Sequence, residues 1–285
     1  MFNKDLLKGK GILVTGGGSG LGLAMARRFA ELGAAVAICG RNEEKLKKAV
    51  AEIGAAGNPV AYAVCDVRDY DAVTAMYQKL REELGEINGL VNNAAGNFYC
   101  ASEDLTPGGF RAVVDIVLQG TFNCTQQLGK YLIEHKKPGS ILNIVTTYTQ
   151  TGSAFVLPSA CAKAGVEAMT KTLAYEWAEY GIRVNGIAPG PFPTKGAWQR
   201  LMPSKDVEQM YLKRHPMHRF GNPEELANLA AFLLSDMAAY ISGDVVVIDG
   251  AEHLQGGQFN FLTQLMPREQ LKAIFQAMHP KKKQG

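Results

Sequence analysis

A glycine-rich turn near the start of the chain has the residue types and spacing of a phosphate-binding loop. The apolar run Gly11–Thr15 leads into Gly16-Gly-Gly-Ser-Gly-Leu-Gly22, and a helical stretch follows. Glycine lets the backbone turn tightly and approach a pyrophosphate, while the helix N-terminus offers unpaired N–H groups and a positive dipole end. The alternative is a tight turn without a ligand. The residues predicted to bind a dinucleotide here are Gly16, Ser19, Gly20, Leu21 and Gly22.

The residue that follows the second strand indicates which dinucleotide is bound. That strand ends as Ala37-Ile-Cys-Gly-Arg41, with no acidic residue at its tip. An acidic side chain would accept from the ribose hydroxyls, whereas an arginine pairs with a 2′-phosphate. Arg41 therefore favours NADP(H) as the cofactor, unless it is an ordinary solvated arginine. Asp66, after the third strand, either bonds the adenine amino group or caps the next helix.

Strand-like and helical runs alternate along the whole chain. The apolar runs are Gly11–Thr15, Ala35–Cys39, Val60–Cys65, Gly89–Asn92, Ser140–Val145, Arg183–Ala188 and Val245–Asp249. The helical stretches are Leu21–Leu32, Glu43–Ile53, Ala72–Leu84, Gly120–Glu134, Ala160–Tyr180 and Pro223–Ser235. This order predicts one α/β domain over residues 1–285, a Rossmann-type doubly wound parallel sheet of about seven strands with helices on both faces. Residues 191–219 are predicted to form a mobile lid and residues 251–285 a C-terminal extension.

The overall composition excludes several classes of protein. A net charge of +3 is too small to predict nucleic-acid binding, and no apolar run is long enough for a membrane span. The five cysteines include no Cys-x-x-Cys pair, and the N-terminus has no apolar signal core, which predicts reduced thiols in a cytoplasmic protein. His215 and His218 have no acidic or thiol partner nearby, so we expect no metal site.

Several ordered motifs resemble the short-chain dehydrogenase/reductase family. Thr15-Gly-x-x-x-Gly20-x-Gly22 is followed by Asn92-Asn-Ala-Ala-Gly96, then by Lys163, Pro189-Gly190 and Thr194, and finally by Asp249-Gly250. The resemblance covers about residues 8 to 251 and adds further residues to the cofactor-binding set. It implies that Lys163 binds the nicotinamide ribose and Thr194 the nicotinamide amide, with Pro189 and Gly190 alongside. Asn93 joins the same set.

The catalytic pattern of that family is altered in this chain. Its members usually carry a tyrosine four residues before the lysine, but Ser159 stands four residues before Lys163. Val117 replaces the usual asparagine, and the usual serine falls at Thr146. An enzyme that reduces a ketone by the common mechanism would therefore lack its proton donor.

The altered pattern resembles the 2,4-dienoyl-CoA reductase branch of the family. The matching segments include Asn92-Asn-Ala-Ala-Gly-Asn-Phe98 and Thr151-Gly-Ser-Ala-Phe-Val-Leu-Pro-Ser-Ala-Cys-Ala-Lys-Ala-Gly165. The resemblance implies that Tyr148 and Asn97 act together as catalytic residues. A dienoyl thioester accepts hydride at the far end of its diene, so negative charge develops on the distant thioester oxygen, where these two side chains would donate hydrogen bonds. Protonation of the α-carbon then gives a 3-enoyl-CoA.

The remaining assignments complete the predicted site. Lys163 adds positive potential near Tyr148, and Ser159, one turn earlier on the same helix face, is predicted to bond substrate or cofactor. Phe98 is predicted to wall the acyl chain, or else to pack in the core. Arg68 and Arg200 resemble positions that contact the CoA phosphates, although both would otherwise count as surface arginines.

The resemblance also implies a homo-oligomer, commonly a tetramer, acting on an acyl-CoA thioester. Two other functions stay open. One is the reduction of a ketone or a 3-oxoacyl thioester, with Tyr148 reaching the carbonyl from its new position. The other is an NADP-binding protein without catalytic activity.

Overall fold

The computed structural model describes residues 2–194 and 204–278, which form a seven-stranded sheet flanked by helices. All strand pairs are parallel, and the order across the sheet is β3-β2-β1-β4-β5-β6-β7. The strands are β1 Gly11–Thr15, β2 Ala35–Gly40, β3 Val60–Val64, β4 Gly89–Asn92, β5 Gly139–Ile144, β6 Ile182–Pro189 and β7 Val245–Ile248. The prediction of a doubly wound parallel sheet is thereby confirmed.

The strands are apolar throughout because helices cover both faces of the sheet. Successive side chains of a strand point to opposite faces. Ile12 and Val14 of β1 accordingly lie in the core against α1 Gly20–Glu31 and α2 Glu43–Gly54, together with Leu226–Leu234. Leu13, between them in the sequence, lies in the core of the opposite face.

The remaining helices complete both layers and the connections. They are α3 Tyr70–Leu84, α4 Pro107–Val114, α5 Gly120–Glu134, α6 Tyr148–Thr151, α7 Leu157–Glu176, α8 Lys205–Arg214, α9 Pro223–Leu234, α10 Leu262–Leu265 and α11 Arg268–Met278. A π-helical turn, Asp115–Gln119, joins α4 to α5. α9 packs on the face of α1, whereas α3, α5 and α7 cover the other face. The core therefore lies on both sides of the sheet.

Helices α4 and α7 depart from the sequence-based predictions for local reasons. α4 is not apparent in the sequence because Gly108 and Gly109 disfavour helix, yet Thr106 accepts from Gly109 N at 3.1 Å and Pro107 occupies the first turn. α7 begins at Leu157, before the predicted Ala160, because Pro158 is tolerated in the first turn of a helix.

The strand order reverses at β1, and this creates a crevice at the edge of the sheet formed by the carboxyl ends of the strands. From β1 the chain builds outward through β2 and β3, then returns to place β4 on the other side of β1. In open α/β sheets, ligands bind outside the carboxyl ends of the strands at such a reversal. The segments after β1, β4, β5 and β6 all meet at this edge, and they carry most of the predicted site residues.

Candidate functional site

The glycine-rich turn between β1 and α1 has the backbone geometry of an anion cradle. Gly16 and Gly20 have φ values of 65° and 57°, in the left-handed region that favours glycine. A Cβ at Gly22 would lie 2.5 Å from the Gly16 carbonyl oxygen. Ser19 precedes α1 without capping it through its side chain, and the first turn of the helix has no acidic residue. The unpaired N–H groups of this turn therefore suit phosphate.

Asn93 fixes the glycine turn to the end of β4. Its Nδ2 donates to the Thr15 carbonyl at 2.9 Å and reaches the Gly16 carbonyl at 3.4 Å. Thr15 Oγ1 in turn accepts from the backbone N–H groups of Asn93 and Ala94, each at 2.9 Å. Asn93, a predicted cofactor residue, therefore holds the glycine-rich turn in its conformation.

Thr194 and the Pro189-Gly190 segment close the other side of the crevice. A Cβ at Gly20 would come within 3.5 Å of Thr194 Oγ1, so this threonine lies beside the glycine turn. Gly190 N donates to Ile248 O at 3.0 Å, and a Cβ at Gly190 would meet Asp249 at 2.6 Å. Close backbone packing therefore holds the end of β6 next to the cofactor crevice.

The three charged residues predicted around the adenosine end lie in two groups. Arg41 is exposed at the tip of β2 and forms no ion pair within 4 Å with another described residue. Asp66 and Arg68, predicted to contact adenine and CoA, form an ion pair with each other at 2.5 Å. The Arg68 guanidinium beside Asp66 holds the pKa of that carboxyl below its ordinary value. The third predicted arginine, Arg200, lies outside the described residues.

Tyr148 and Ser159 meet through their hydroxyl groups. Tyr148 begins the one-turn helix α6 just after β5, and Ser159 lies in the first turn of α7. Their oxygens are 2.9 Å apart, with Ser159 buried and Tyr148 half-buried. The relocated tyrosine and the serine at the usual tyrosine position therefore form one hydroxyl pair.

Lys163 is buried one turn further along α7. Only 7% of its surface is exposed, and its Nζ donates to the Ile144 carbonyl at the end of β5. Burial lowers the pKa of Lys163 to about 8. An ammonium group has three donors, so two remain for ligand hydroxyls in the crevice.

Asn97 and Phe98 lie on the exposed loop that follows β4. Asn97 Oδ1 accepts from Phe98 N at 2.9 Å, and this fixes the amide so that its NH2 group is the side that can donate elsewhere. Phe98 is 39% exposed, and its ring packs near Gly109 of α4. Tyr99, on the same loop, has a pKa raised by burial and by Tyr148 nearby. These contacts place the β4 loop across from Tyr148.

A backbone hydrogen bond joins the two loops that carry the proposed donors. Cys100 N, on the β4 loop, donates to Phe155 O at 2.9 Å. Phe155 has a φ of 66°, a conformation that costs a non-glycine residue on the order of 1–3 kcal/mol, yet its side chain is mostly exposed. The loop bearing Asn97 is therefore joined to the segment that follows α6, the helix that bears Tyr148.

The segment predicted as a lid contains helix α8, which is docked on the end of β7. His215 Nδ1 accepts from Met217 N at 3.2 Å, so its Nε2 carries the proton and donates to Asp249 O at 2.9 Å. Tyr211 donates to Glu252. Burial is the main reason that the pKa of Tyr211 is raised, and the Glu252 carboxylate raises it further. A cavity of about 350 Å³ lies beside this cluster, and neither Tyr148 nor Lys163 lines it.

The described residues offer neither a metal site nor a membrane span. No group of three or more histidine, cysteine or acidic side chains within 2–194 and 204–278 is arranged to hold a metal ion. No helix in that part of the chain combines the length and apolar character needed to cross a bilayer. Cys39, Cys65 and Cys124 are buried free thiols, as predicted for most of the cysteines.

Thr149 and Glu167 belong to the site region but were not singled out from the sequence. Thr149 Oγ1 donates to Glu167 Oε2 at 2.6 Å, next to Tyr148 on α6. Ser159, Lys163 and Glu167 follow each other at intervals of four on α7, which puts them on one helix face. That spacing was the available signal in the sequence.

The arrangement brings together a dinucleotide cradle, a buried ammonium group and a hydroxyl pair at one sheet edge. Asn97 makes no hydrogen bond to Tyr148 in the described structure, although their loops are joined. Hydroxyl, amide and ammonium donors facing one crevice can stabilise an oxygen that gains negative charge. Such a site suits hydride transfer to a substrate whose oxygen accepts the charge.

Comparisons with known proteins agree with this chemistry. A family model described as Enoyl-(Acyl carrier protein) reductase matches residues 16–252. A Bacillus subtilis protein named probable 2,4-dienoyl-CoA reductase [(2E)-enoyl-CoA-producing] is 46% identical over 86% of this chain and 97% of its own length. A Caenorhabditis elegans protein named probable 2,4-dienoyl-CoA reductase 3 [(3E)-enoyl-CoA-producing] is 45% identical, over 86% of this chain and 81% of its own.

A solved structure shows the same fold at similar identity. A short chain dehydrogenase from Bacillus anthracis has 46% sequence identity and a TM-score of 0.80, covering 87% of this chain and 98% of that one.

Proposed function

Because the chain belongs to the short-chain dehydrogenase/reductase family, we propose that this oxidoreductase reduces 2,4-dienoyl-CoA to 3-enoyl-CoA with NADPH. One observation carries the proposal. Ser159 occupies the place of the usual tyrosine, and its hydroxyl lies 2.9 Å from that of Tyr148, which starts the helix after β5. The phenol therefore comes from a different position than the usual tyrosine. A substrate whose negative charge develops away from the carbon that accepts the hydride requires such a shift.

The residues around the glycine turn fit a nicotinamide dinucleotide. The left-handed glycines and the uncapped start of α1 suit a pyrophosphate, and Arg41 at the tip of β2 suits a 2′-phosphate. Lys163 would bind the ribose hydroxyls and Thr194 the carboxamide. When bound, NADPH supplies the hydride that the reduction consumes.

The protein donors stabilise the charge that the reduction creates. Addition of hydride to the far carbon of the diene moves an electron pair along the conjugated system to the thioester oxygen. Tyr148 and Asn97 would donate to that oxygen, because the loop bearing Asn97 is joined to the segment that follows Tyr148 and the Asn97 NH2 group is left to donate. A proton taken up at the α-carbon completes the reaction, which leaves one double bond between carbons 3 and 4.

Ser159 determines whether the phenolic proton of Tyr148 is free to bond the substrate. A tyrosine hydroxyl has one proton to donate, and either oxygen of the pair can be the donor. If Ser159 donates to Tyr148, the phenolic proton is left for the substrate oxygen. We therefore assign Ser159 the role of orienting the phenol toward the thioester.

One comparison favours a second product. The Bacillus subtilis relative is named as (2E)-enoyl-CoA-producing, whereas the Caenorhabditis elegans relative is named as (3E)-enoyl-CoA-producing. The two products differ only in the carbon that takes up the proton. Nuclear magnetic resonance of the product formed from 2,4-hexadienoyl-CoA distinguishes them by the position of the remaining double bond.

The proposal is tested by NADPH oxidation with 2,4-hexadienoyl-CoA. We expect Tyr148→Phe to lower kcat by on the order of a hundredfold, since one oxyanion donor is removed. Ser159→Ala should lower kcat by about tenfold through loss of a single orienting hydrogen bond. Tyr175→Phe is the matched control, because Tyr175 is 91% exposed on α7 and should leave the rate unchanged.

The other outcomes separate the alternative functions. A wild-type protein that reduces an acetoacetyl thioester but not the dienoyl-CoA would be a ketone reductase. One that binds NADPH but turns over neither thioester would be a non-catalytic NADP-binding protein. Full activity of Tyr148→Phe would refute the assigned donor.

A further inference from the structure

Helix α6, which presents Tyr148, is too short to hold its own orientation. It has four residues, and fixing a single helical turn is unfavourable without external contacts. Its backbone bonds include a long one, Thr149 N to Thr146 O at 3.4 Å, and it ends at Gly152 with a φ of 69°. Side-chain contacts must therefore fix the direction of the Tyr148 phenol.

Glu167 fastens this turn to α7 through a charge-assisted hydrogen bond to Thr149, and the Gln150 side chain also bonds its carboxylate. Thr149 Oγ1 lies 2.6 Å from Glu167 Oε2 and 3.1 Å from the Thr146 carbonyl. A hydroxyl proton pointed at the carboxylate makes the stronger of these two bonds, because hydrogen bonds to ionised groups are shorter and stronger than neutral ones. α6 is thus held through the residue that immediately follows Tyr148.

Glu167 is itself fixed in place. Only 9% of its surface is exposed, and its Oε1 accepts from Lys171 Nζ at 2.7 Å, one turn further along α7. Lys171 first, and Thr149 second, hold the pKa of the Glu167 carboxyl below its ordinary value. The carboxylate therefore stays ionised at neutral pH and offers a constant acceptor to Thr149.

Ser159 and Glu167, which hold α6, lie on the same helix. Ser159 bonds the Tyr148 hydroxyl at 2.9 Å, and Glu167 bonds the next residue at 2.6 Å. Lys163 lies between them in the sequence, four residues from each. One rigid helix thus fixes the phenol at its oxygen and α6 at its second residue.

We propose that Glu167, acting through Thr149, is a positioning residue that aims the Tyr148 phenol at the substrate oxygen. This inference rests on the proposed role of Tyr148 in dienoyl-CoA reduction. Glu167 does not touch the reacting atoms, and its effect passes through the turn that bears Tyr148. A displacement of about 1 Å in a catalytic group can cost on the order of a hundredfold in rate.

The test compares variants that differ in the Thr149–Glu167 bond. T149V removes the hydroxyl at nearly constant volume, whereas T149S keeps it. E167A removes the acceptor, and E167Q keeps a neutral one. T172V makes the same change as T149V at an exposed position of α7, so it controls for a general effect on that helix. Kinetics with 2,4-hexadienoyl-CoA are measured on the full chain.

We expect T149V and E167A to lower kcat by about 10- to 100-fold while KM for NADPH changes less than about twofold. T149S should recover most of the loss, E167Q should be intermediate, and T172V should stay within about twofold of the wild type, because substitutions at exposed positions away from such contacts have small effects. If E167A does not fold, T149V and T149S still decide the question. Wild-type kcat in both T149V and E167A would overturn the proposal.

A crystal structure separates failure of this inference from failure of the proposed function. If the wild type is inactive with the dienoyl-CoA, the proposed function is wrong. The distance from Tyr148 Oη to Ser159 Oγ is then compared between the wild type and T149V. Loss of the 2.9 Å contact in T149V supports the positioning role, and an unchanged contact overturns it.

Discussion

In the proposed site, Lys163 joins the cofactor crevice to the hydroxyl pair of Tyr148 and Ser159. It lies one turn after Ser159 on α7, and its ammonium group bonds the carbonyl of Ile144, four residues before Tyr148. Burial favours the neutral amine, since a charged group loses hydration inside the protein. This lysine therefore titrates much closer to neutral pH than an exposed lysine would.

The lowered pKa of Lys163 predicts a loss of cofactor capture at alkaline pH. The group is charged below its folded pKa of about 8 and neutral above it. As the pH rises through about 8, the ammonium group loses its charge and one of its donors, so kcat/KM for NADPH should fall. This parameter reports the ionisation of the free enzyme.

The assignment of that titration is checked with Lys163→Met, whose pH profile should lack the decline near pH 8 and whose kcat/KM should be low throughout. A decline in kcat/KM near pH 8 that persists in Lys163→Met belongs to another group.

The lowered pKa of Lys163 also affects the stability of the fold. Between about pH 8 and 10.5 the unfolded chain keeps the proton that the folded chain has released, so unfolding should become less favourable as the pH rises.

At the residue scale, the sequence predicts which side chains belong to the site but not which of them contact one another. Tyr148 and Ser159 were both predicted as catalytic residues, but nothing in their spacing indicates that their hydroxyls meet. That contact depends on how α6 turns back onto α7, which the tertiary structure decides. Asp66 and Arg68 were given separate ligands, and their positions two residues apart allow the ion pair that forms.

At the scale of elements, the C-terminus of α5 uses a residue that is unfavourable for its conformation. Lys136 has a φ of 53° just after the helix, where Lys137 N bonds Leu132 O at 2.8 Å. This is the bonding pattern of a helix end that usually places glycine in the left-handed position. Lys136 is exposed, so its side chain gives little compensation.

Lys136→Gly should therefore stabilise the protein by about 1 kcal/mol, because glycine adopts a positive φ without a Cβ penalty. Gly57→Ala is the matched opposite change. Gly57 has a φ of 82° with nothing near its missing Cβ, so alanine there should destabilise by about 1 kcal/mol through backbone strain alone. Urea unfolding of both variants gives the two free energies. A destabilised Lys136→Gly would contradict this account of the helix end.

The predictability of the elements followed the strength of their patterns. Buried strands and long helices were predicted because apolar runs and amphipathic stretches alternate along the chain. α6 was missed because four residues carry no periodicity. α8, inside the predicted lid, has mostly polar residues, and its position depends on His215 and Tyr211 bonding to the end of β7.

At the scale of the whole molecule, the site is assembled from segments that are distant in sequence. The glycine-rich turn follows β1, the loop bearing Asn97 follows β4, Tyr148 follows β5 and Thr194 follows β6. A parallel sheet brings these carboxyl ends to one edge, so the prediction of the fold was enough to predict their proximity. The distances between side chains were not predictable in this way, because they depend on packing.

The extension after β7 leaves apolar surface that one copy of the chain does not bury. Phe259, Phe261 and Leu265 are each more than half exposed. On α11, Leu271 is buried, but Ile274, Phe275 and Met278 are exposed. Contiguous exposed apolar residues of this kind mark interaction surfaces. Together with the implied tetramer, they lead us to propose that the extension packs between subunits.

This proposal predicts that a charge on the apolar side of α11 will weaken association. Sedimentation velocity of the wild type should give a species of about four times the 30.8 kDa chain mass. Phe275→Glu should shift this species toward smaller ones, because an unpaired carboxylate is costly to bury in an interface. Gln276→Glu adds the same charge at an exposed neighbouring position and should leave the tetramer intact. A monomeric wild type would show that the extension has no partner copy, and equal effects of both substitutions would show that net charge, not burial of Phe275, controls association.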